Sequence, residues 1–234
     1  MPRSMAAVVW QYNDCWPCST WAMVDYYRRP KALLYQSKHF FAAVLVSGLS
    51  DAQSGRTNIY ITNDGQKDVS GILRWDVTNS AGEVLRQGSK HIDIPARTSR
   101  QEEELDLSDL IQLHGAQSLL VWPEVIVDGR TVARNTLFFG RPKEVKVKRP
   151  DLTATTSGGE TRYRVVLETD VPALWVWADV EGTNASYSDN FFDLCSNRAA
   201  EIEIELDKPM APFEFRSKLR VRSVYDLAPE MRFA

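Results

Sequence analysis

The densest group of chemically capable side chains lies in residues 10–17. The stretch reads Trp10-Gln11-Tyr12-Asn13-Asp14-Cys15-Trp16-Pro17. Aromatic rings can stack on a sugar ring, while amide and carboxylate groups can hydrogen-bond to its hydroxyls. The competing interpretation, which composition alone favours, is a capping loop whose tryptophans fill a core. The spacing therefore leaves a sugar-binding loop and a packing loop open.

Cys15 and Cys18 form a C-x-x-C motif ahead of a predicted helix. A redox dithiol needs a lowered thiol pKa and a surrounding βαβ unit, whereas the chain that follows is rich in β-strand patterns. A zinc site needs two further ligands, and neither His39 nor the distant Cys195 has a matching spacing. We therefore predict no metal and no cofactor, with a redox dithiol kept as a weak alternative.

Two adjacent aromatics, Phe191 and Phe192, stand out near the end of the chain. At the entry of a strand their rings point to opposite faces. The outward ring is predicted to dock on another part of the chain rather than to hold a ligand. Nearby, Asn184-Ala185-Ser186 is an N-glycosylation sequon, which matters only in a protein secreted by a eukaryote.

Composition limits the class of protein. Of the 234 residues 44% are hydrophobic and 25% are charged, which is typical of globular proteins. The net charge of −3 provides no basic field for nucleic acid. No apolar run approaches the roughly 20 residues that span a bilayer. The apolar run at residues 6–9 is too short for a secretory signal, so the compartment is left open.

The predicted elements that position these residues are a strand and helices up to residue 41 and a series of β-strands after it. The short apolar run at residues 6–9 predicts a buried parallel strand. A helix capped by Ser19 or Thr20 is predicted from Trp21 to Tyr27, with a second piece from Lys31 to Phe41 after Pro30. Because no parallel neighbour follows the strand, we expect this βα unit to belong to a larger fold.

After residue 41 the period changes to that of β-strands separated by turn signals. About six short strands in residues 42–140 predict an antiparallel β-sandwich. Residues 141–152 carry two prolines and five basic residues and are predicted to be a linker. A second strand series in residues 153–234 predicts a smaller sandwich.

These stretches resemble the C-terminal part of family 2 glycoside hydrolases of the β-mannosidase type. The resemblance is carried by residues 10–17, by Asp25-Tyr26-Tyr27, by Lys31-Ala32-Leu33 and Phe40-Phe41-Ala42, and by Asp189-Asn190-Phe191-Phe192-Asp193-Leu194. It implies a mainly β fold: two immunoglobulin-like β-sandwiches preceded by the last βα unit of an (α/β)8 barrel, residues 1–41. It also implies retaining removal of terminal β-mannose without a metal or organic cofactor. The exo-β-glucosaminidases share this architecture and remain an alternative.

Retaining hydrolysis needs two carboxyl groups about 5–5.5 Å apart. In the family both are glutamates on barrel strands before the eighth. Residues 1–41 hold no glutamate, and their carboxylates are Asp14 and Asp25, so the resemblance transfers no catalytic residue to this chain. Trp10 is carried over as the aromatic platform of the sugar subsite, and Asn13 and Asp14 as loop-shaping polar residues.

We expect a chain that is inactive alone, and whose substrate in the complete enzyme is a β-mannoside oligosaccharide or a glycoprotein glycan. A non-catalytic carbohydrate-binding or interaction module is a further alternative. The apolar surface of an isolated barrel unit also predicts self-association.

Overall fold

A computed structural model describes residues 7–196 and 198–227. It shows a mainly β chain with two sandwiches that follow an irregular N-terminal segment, which confirms the predicted mainly β fold of two sandwiches. No helix in the described ranges is both long and apolar enough to span a membrane.

The N-terminal segment differs from its prediction in two places. Residues 7–9 form no strand, and Val8 is 88% exposed, while Ala6 lies outside the described residues. A strand needs a neighbour for its backbone hydrogen bonds, and no strand of the described chain lies beside these residues. The buried strand predicted over residues 6–9 is therefore not formed in its described part.

The helix predicted from Trp21 to Tyr27 is wrong. Asp25 instead folds residues 25–29 into a turn, since its side chain accepts the backbone N–H of Arg29 at 2.8 Å and its carbonyl accepts that of Arg28 at 3.0 Å. Such local side-chain bonds compete with a helix. The second helical piece is present as α1 (Ala32–Phe40).

The first sandwich packs a three-stranded sheet against a larger one. The first sheet has the order β1-β2-β5; the second has the order β4-β3-β6-β7, with β8 paired to β6. The strands are β1 (Val44–Asp51), β2 (Arg56–Asn63), β3 (Val69–Asn79), β4 (Val84–Ile94), β5 (Thr98–Asp106), β6 (Leu119–Val127), β7 (Arg130–Arg134) and β8 (Leu137–Phe138), and α2 (Ser108–His114) follows β5.

Alternation and turn chemistry explain this sandwich. Ile59 and Ile61 of β2 point inward and are fully buried, as are Leu73 and Val77 of β3. Asp128-Gly129 turns the chain between β6 and β7 with φ values of 50° and 74°, the left-handed geometry that a tight hairpin requires.

The second sandwich joins two three-stranded sheets, β12-β10-β14 and β11-β13-β9. Its elements are β9 (Leu152–Thr169), β10 (Ala173–Val180), β11 (Ala185–Tyr187), β12 (Phe192–Leu194), β13 (Ala200–Met210), α3 (Pro212–Lys218), β14 (Leu219–Arg222) and α4 (Val224–Leu227). Inward residues such as Val165, Leu167 and Ile202 form its core. Tyr163 stacks on the fully buried Phe215 with a centroid distance of 3.7 Å.

A third apolar cluster lies between the two sandwiches. Val145 and Val147, from the segment predicted as a linker, pack with Leu120, Trp122 and Leu174 and are almost fully buried. A short 3-10 helix, Pro142–Glu144, precedes them. The segment thus fills the contact between the sandwiches instead of running through solvent, which ties the two together.

Candidate functional site

Residues 10–31 form a loop with exposed aromatic side chains. Trp10 is 74% exposed, and Tyr12, Trp16 and Trp21 are also exposed. The Trp10–Gln11 peptide bond is cis. Neither Trp10 nor Trp16 fills a core within the described residues, so the packing-loop interpretation does not hold there. Their open faces are available for stacking on a flat apolar ring.

Backbone hydrogen bonds join three segments of this loop side by side. The carbonyls of Gln11 and Tyr12 accept the N–H groups of Met23 and Val24 at 3.1 and 2.9 Å. The N–H of Lys31 bonds in turn to the carbonyl of Met23 at 2.8 Å. The segment that carries Trp10 is therefore positioned by a second strip of backbone, which is itself anchored at the start of α1.

Asp14 is the central polar residue of the loop. It is 4% exposed, and its carboxylate accepts hydrogen bonds from the Lys31 ammonium at 2.7 Å and from the Thr20 hydroxyl. Hydrogen bonds from Lys31 and then Thr20 lower the pKa of Asp14. Thr20 also accepts the backbone N–H of Ala22, so this predicted helix cap orders a turn instead.

The predicted site residues thus have different environments. Trp10 presents a free ring, whereas the carboxylate of Asp14 is occupied by an internal ion pair. Asn13 is exposed, and its amide donates to the carbonyl of Asp14 at 3.1 Å. Asp25, the other carboxylate of this segment, pairs with Arg29 at 2.6 Å. Burial raises its pKa, but the hydrogen bonds from Arg29 outweigh that effect and leave it lowered.

Helix α1 docks on the second sandwich through residues 188–191. The Phe191 ring lies 5.9 Å from that of Trp177 and 6.0 Å from that of Tyr35, while Phe192 is buried in the sandwich core. The two rings therefore point to opposite sides, and the outward ring makes a docking contact, as predicted. Lys38 adds a hydrogen bond to the carbonyl of Ser188 at 3.0 Å.

Charged contacts reinforce the docking. Asp189 accepts from His39 Nε2 at 3.2 Å and from Arg134 at 3.2 Å, which brings α1, β7 and the second sandwich together. Burial raises the pKa of Asp189, but the bond from His39 and the charges of His39 and Arg134 outweigh it and lower the pKa. Burial raises the pKa of the nearby Asp193, whose carboxyl accepts the Trp175 N–H at 2.9 Å.

A cleft of about 540 Å³ lies between the sandwiches and α1. Sequence reasoning missed its polar residues. Arg198 pairs with Asp76 and lies 3.4 Å from Glu124, which also pairs with Arg74. The signal was present: Glu124 interrupts the apolar run of β6, and a carboxylate in a buried strand requires a cation. Because each of these charges has a protein partner, the cleft is occupied by its own ion network.

The cysteines and histidines do not converge on a metal. Cys15 and Cys18 are exposed, Cys195 is buried, and the described residues contain no group of three or more metal-ligating side chains. His39 is engaged with Asp189.

Two family models match the chain. A mannosidase Ig/CBM-like domain matches residues 55–144, and an Ig-fold domain of mannosidases matches residues 147–227. Together the models cover roughly three quarters of the chain and meet within the segment that joins the two sandwiches.

Curated relatives match over nearly the whole chain. β-Mannosidase A of Neosartorya fischeri is 24% identical over 96% of this chain, and the β-mannosidase of Bos taurus is 27% identical over 96% of it. The match covers 26% of each relative. The chain thus spans about a quarter of the length of the relatives it matches.

Solved structures share the fold. The β-D-mannosidase of Dictyoglomus thermophilum superposes with a TM-score of 0.78 and 24% identity, over 92% of this chain and 25% of that one. The exo-chitosanase of Amycolatopsis orientalis gives a TM-score of 0.63 and 14% identity, over 92% and 29%. The two family models, the relatives and the motifs agree: the chain belongs to the family 2 glycoside hydrolases of the β-mannosidase type, as a C-terminal portion of such an enzyme.

Proposed function

We propose that the chain acts within an enzyme that removes terminal β-mannosyl residues from oligosaccharides or glycoprotein glycans. Its contribution is the loop of residues 10–31, with Trp10 as the platform on which the terminal sugar stacks. The observation that carries this proposal is the open face of Trp10 on a loop fixed from behind by Asp14 and Lys31. A rigid aromatic face of this kind binds a sugar with little loss of conformational entropy.

The chain alone has no hydrolytic activity in this proposal. Asp14 and Asp25, the two carboxylates of residues 1–41, are each held in an ion pair, and residues 1–41 contain no glutamate. A general acid needs a carboxyl that keeps its proton near neutral pH, and the pKa values of both groups are lowered. The two catalytic carboxyls would come from other strands of an (α/β)8 barrel, of which α1 would be the last helix.

A binding experiment tests the platform. We expect Trp10→Ala to weaken binding of β-1,4-mannobiose to this chain by roughly tenfold, because the stacking face is lost. Trp16→Ala, which removes an equally exposed ring outside the predicted subsite, serves as the control. Calorimetric titration gives the affinities, and unchanged binding by Trp10→Ala would refute the assignment.

The absence of activity has its own test. Purified chain is expected to release no p-nitrophenol from p-nitrophenyl β-mannoside. Release that one internal substitution abolishes would overturn this part of the proposal. Comparing the binding of a β-1,4-linked glucosamine disaccharide with that of β-1,4-mannobiose addresses the exo-β-glucosaminidase alternative, since the Amycolatopsis orientalis exo-chitosanase shares this fold.

A non-catalytic carbohydrate-binding module is the second candidate. The name of the model matched by residues 55–144 supports it, since it includes a CBM-like fold. Mannobiose binding that persists in Trp10→Ala, with amide shifts confined to the first sandwich, would favour the module over the platform.

A further inference from the structure

A second concave surface lies away from Trp10, between the turn at residues 25–31 and the outer face of the second sandwich. It has a volume of about 1240 Å³. We call it the lateral groove. The residues that bear on its chemistry are Tyr27, Arg28, Trp177, Asp179, Asn184 and Phe191.

The lateral groove has a preorganised aromatic wall. Trp177 is parallel to Phe191, with an interplanar angle of 9°, and Phe191 rests in turn against the buried Tyr35. Tyr27, from the opposite segment, is 62% exposed, and Arg29 lies 5.2 Å from its ring centroid. The flat faces are thus supported from behind before any ligand arrives, which lowers the entropic cost of binding.

Three charged groups of the groove have no ion pair within the described parts of the chain: Arg28, Asp179 and Asp207, whose carboxylate accepts a hydrogen bond from the Asn184 amide at 3.5 Å. Arg28 is exposed at the tip of the turn, and Asp179 is exposed on β10. The residue opposite Asp179 in the sheet is Arg220, but its guanidinium bonds to Glu181 at 2.8 Å. Asn184 adds an exposed amide that can both donate and accept.

The charge balance and the volume of the lateral groove indicate which class of ligand it binds. One free cation and two free anions leave the groove with a small excess of negative charge, so a polyanion or an acidic peptide is not favoured. Charged groups, an amide and flat apolar rings together match a chain of sugar rings with many hydroxyls. The volume exceeds the roughly 300–1,000 Å³ of pockets for single small molecules, which favours an extended ligand.

We propose that the lateral groove is a second carbohydrate site, which binds a neutral oligosaccharide of several sugar units along the second sandwich. The choice of a mannose-based ligand rests on the proposed function. Tyr27 and Trp177 provide the stacking faces, while Arg28 and Asp179 hydrogen-bond to pairs of neighbouring hydroxyls. The site holds the substrate chain at a distance from the sugar that stacks on Trp10.

The test is calorimetric titration of the full chain with β-1,4-mannotetraose, together with amide chemical shifts. Arg28→Asn and Asp179→Asn are each expected to weaken binding by about fivefold or more, the effect of one lost charged hydrogen bond. Arg97→Asn is the matched control for the first, because Arg97 is also exposed and also has a positive φ. Asp93→Asn, an exposed strand carboxylate of the first sandwich, is the control for the second.

The outcomes separate the two proposals. Weaker binding by both groove variants, with unchanged binding by both controls and with shifts at Asp179 and Asn184, supports the lateral groove. Equal affinity for all four variants, or no saturable binding up to about 10 mM, overturns it. If shifts appear only around Trp10 and vanish in Trp10→Ala, the proposed function stands and the groove is refuted.

Discussion

The Asp14–Lys31 ion pair is the residue-scale feature on which the loop of residues 10–31 depends. It joins the segment that carries Trp10 to the residue that precedes α1. Asp14 is almost completely enclosed, so its carboxylate needs this partner more than a surface group would. Under the proposed function, the pair therefore acts on sugar binding by positioning Trp10, without contact to the sugar.

The lowered pKa of Asp14 gives the loop a pH dependence. A carboxyl whose pKa is lower in the folded chain stabilises the fold above its ordinary pKa of 3.8, and this contribution is lost as the pH falls towards the folded value. We expect the backbone amide signals of Val24 and Met23 to shift as the pH drops below about 4. An NMR titration measures this.

Lys31→Met tests the same pair at neutral pH. We expect the amide signals of Val24 and Met23 to move and mannobiose affinity to fall, because an unpaired carboxylate reorganises the loop. Lys143→Met removes an exposed cation from the segment between the sandwiches and is the control. If Val24 keeps its wild-type signal in Lys31→Met, the ion pair does not position the loop.

In the cleft between the sandwiches, Arg198 is the cation that pairs with buried carboxylates. Arg198→Met leaves Asp76 and Glu124 buried with one cation fewer, so we expect the free energy of unfolding to fall by about 3 kcal/mol. Arg162→Met breaks an exposed pair with Glu205 and should cost less than about 1 kcal/mol. Urea denaturation compares them, and equal losses would contradict a structural role for the buried network.

At the scale of elements, α1 depends on the second sandwich. Phe191 is half-buried between Tyr35 and Trp177, so Phe191→Ala should lower the free energy of unfolding by about 2 kcal/mol and speed amide exchange in α1. Phe213→Ala, which removes a ring that is 78% exposed, should change neither. Unchanged exchange in α1 after Phe191→Ala would show that the helix is held by other contacts.

The elements also show how far the sequence predicts this chain. The β-strand period and the turn signals after residue 41 predicted the first sandwich correctly, because these signals act between neighbouring residues. The helix predicted at residues 21–27 failed, since the side chain of Asp25 satisfies the backbone of a turn. The ion pair of Asp76 with Arg198 joins residues 122 positions apart, and no local pattern encodes such a contact.

The candidate site was predicted in part. The types and spacing of residues 10–17 left a sugar-binding loop and a packing loop open, and the structure leaves Trp10 open to solvent. The partner of Asp14 was not predicted, because Lys31 approaches it only after the intervening turn has formed. The lateral groove was not predicted either, since its two sides come from opposite ends of the chain.

For the whole molecule, the exposed aromatics of the N-terminal segment predict self-association. Trp10, Trp16 and Trp21 are each more than half exposed, together with Phe41. Covering such a surface lowers the free energy by about 25 cal/mol per Å² of apolar area. We expect the sedimentation coefficient to rise with protein concentration.

The double variant Trp16→Ser/Trp21→Ser tests that surface. It should shift the association to higher concentration, whereas Phe213→Ser, an equally exposed ring on α3, should not. A wild-type chain that sediments as a monomer at every concentration would rule out association through these side chains.

Phe191 of the second sandwich packs against Tyr35 of α1. The second sandwich therefore influences the position of the loop that follows Trp10. A substitution among residues 188–191 would tilt the helix, and the tilt would reach the platform through Lys31. Under the proposed function, sugar binding at Trp10 therefore also depends on residues 188–191, which lie far from Trp10 along the chain. A library of variants aimed at sugar binding should vary residues 188–191 as well as the loop of residues 10–31.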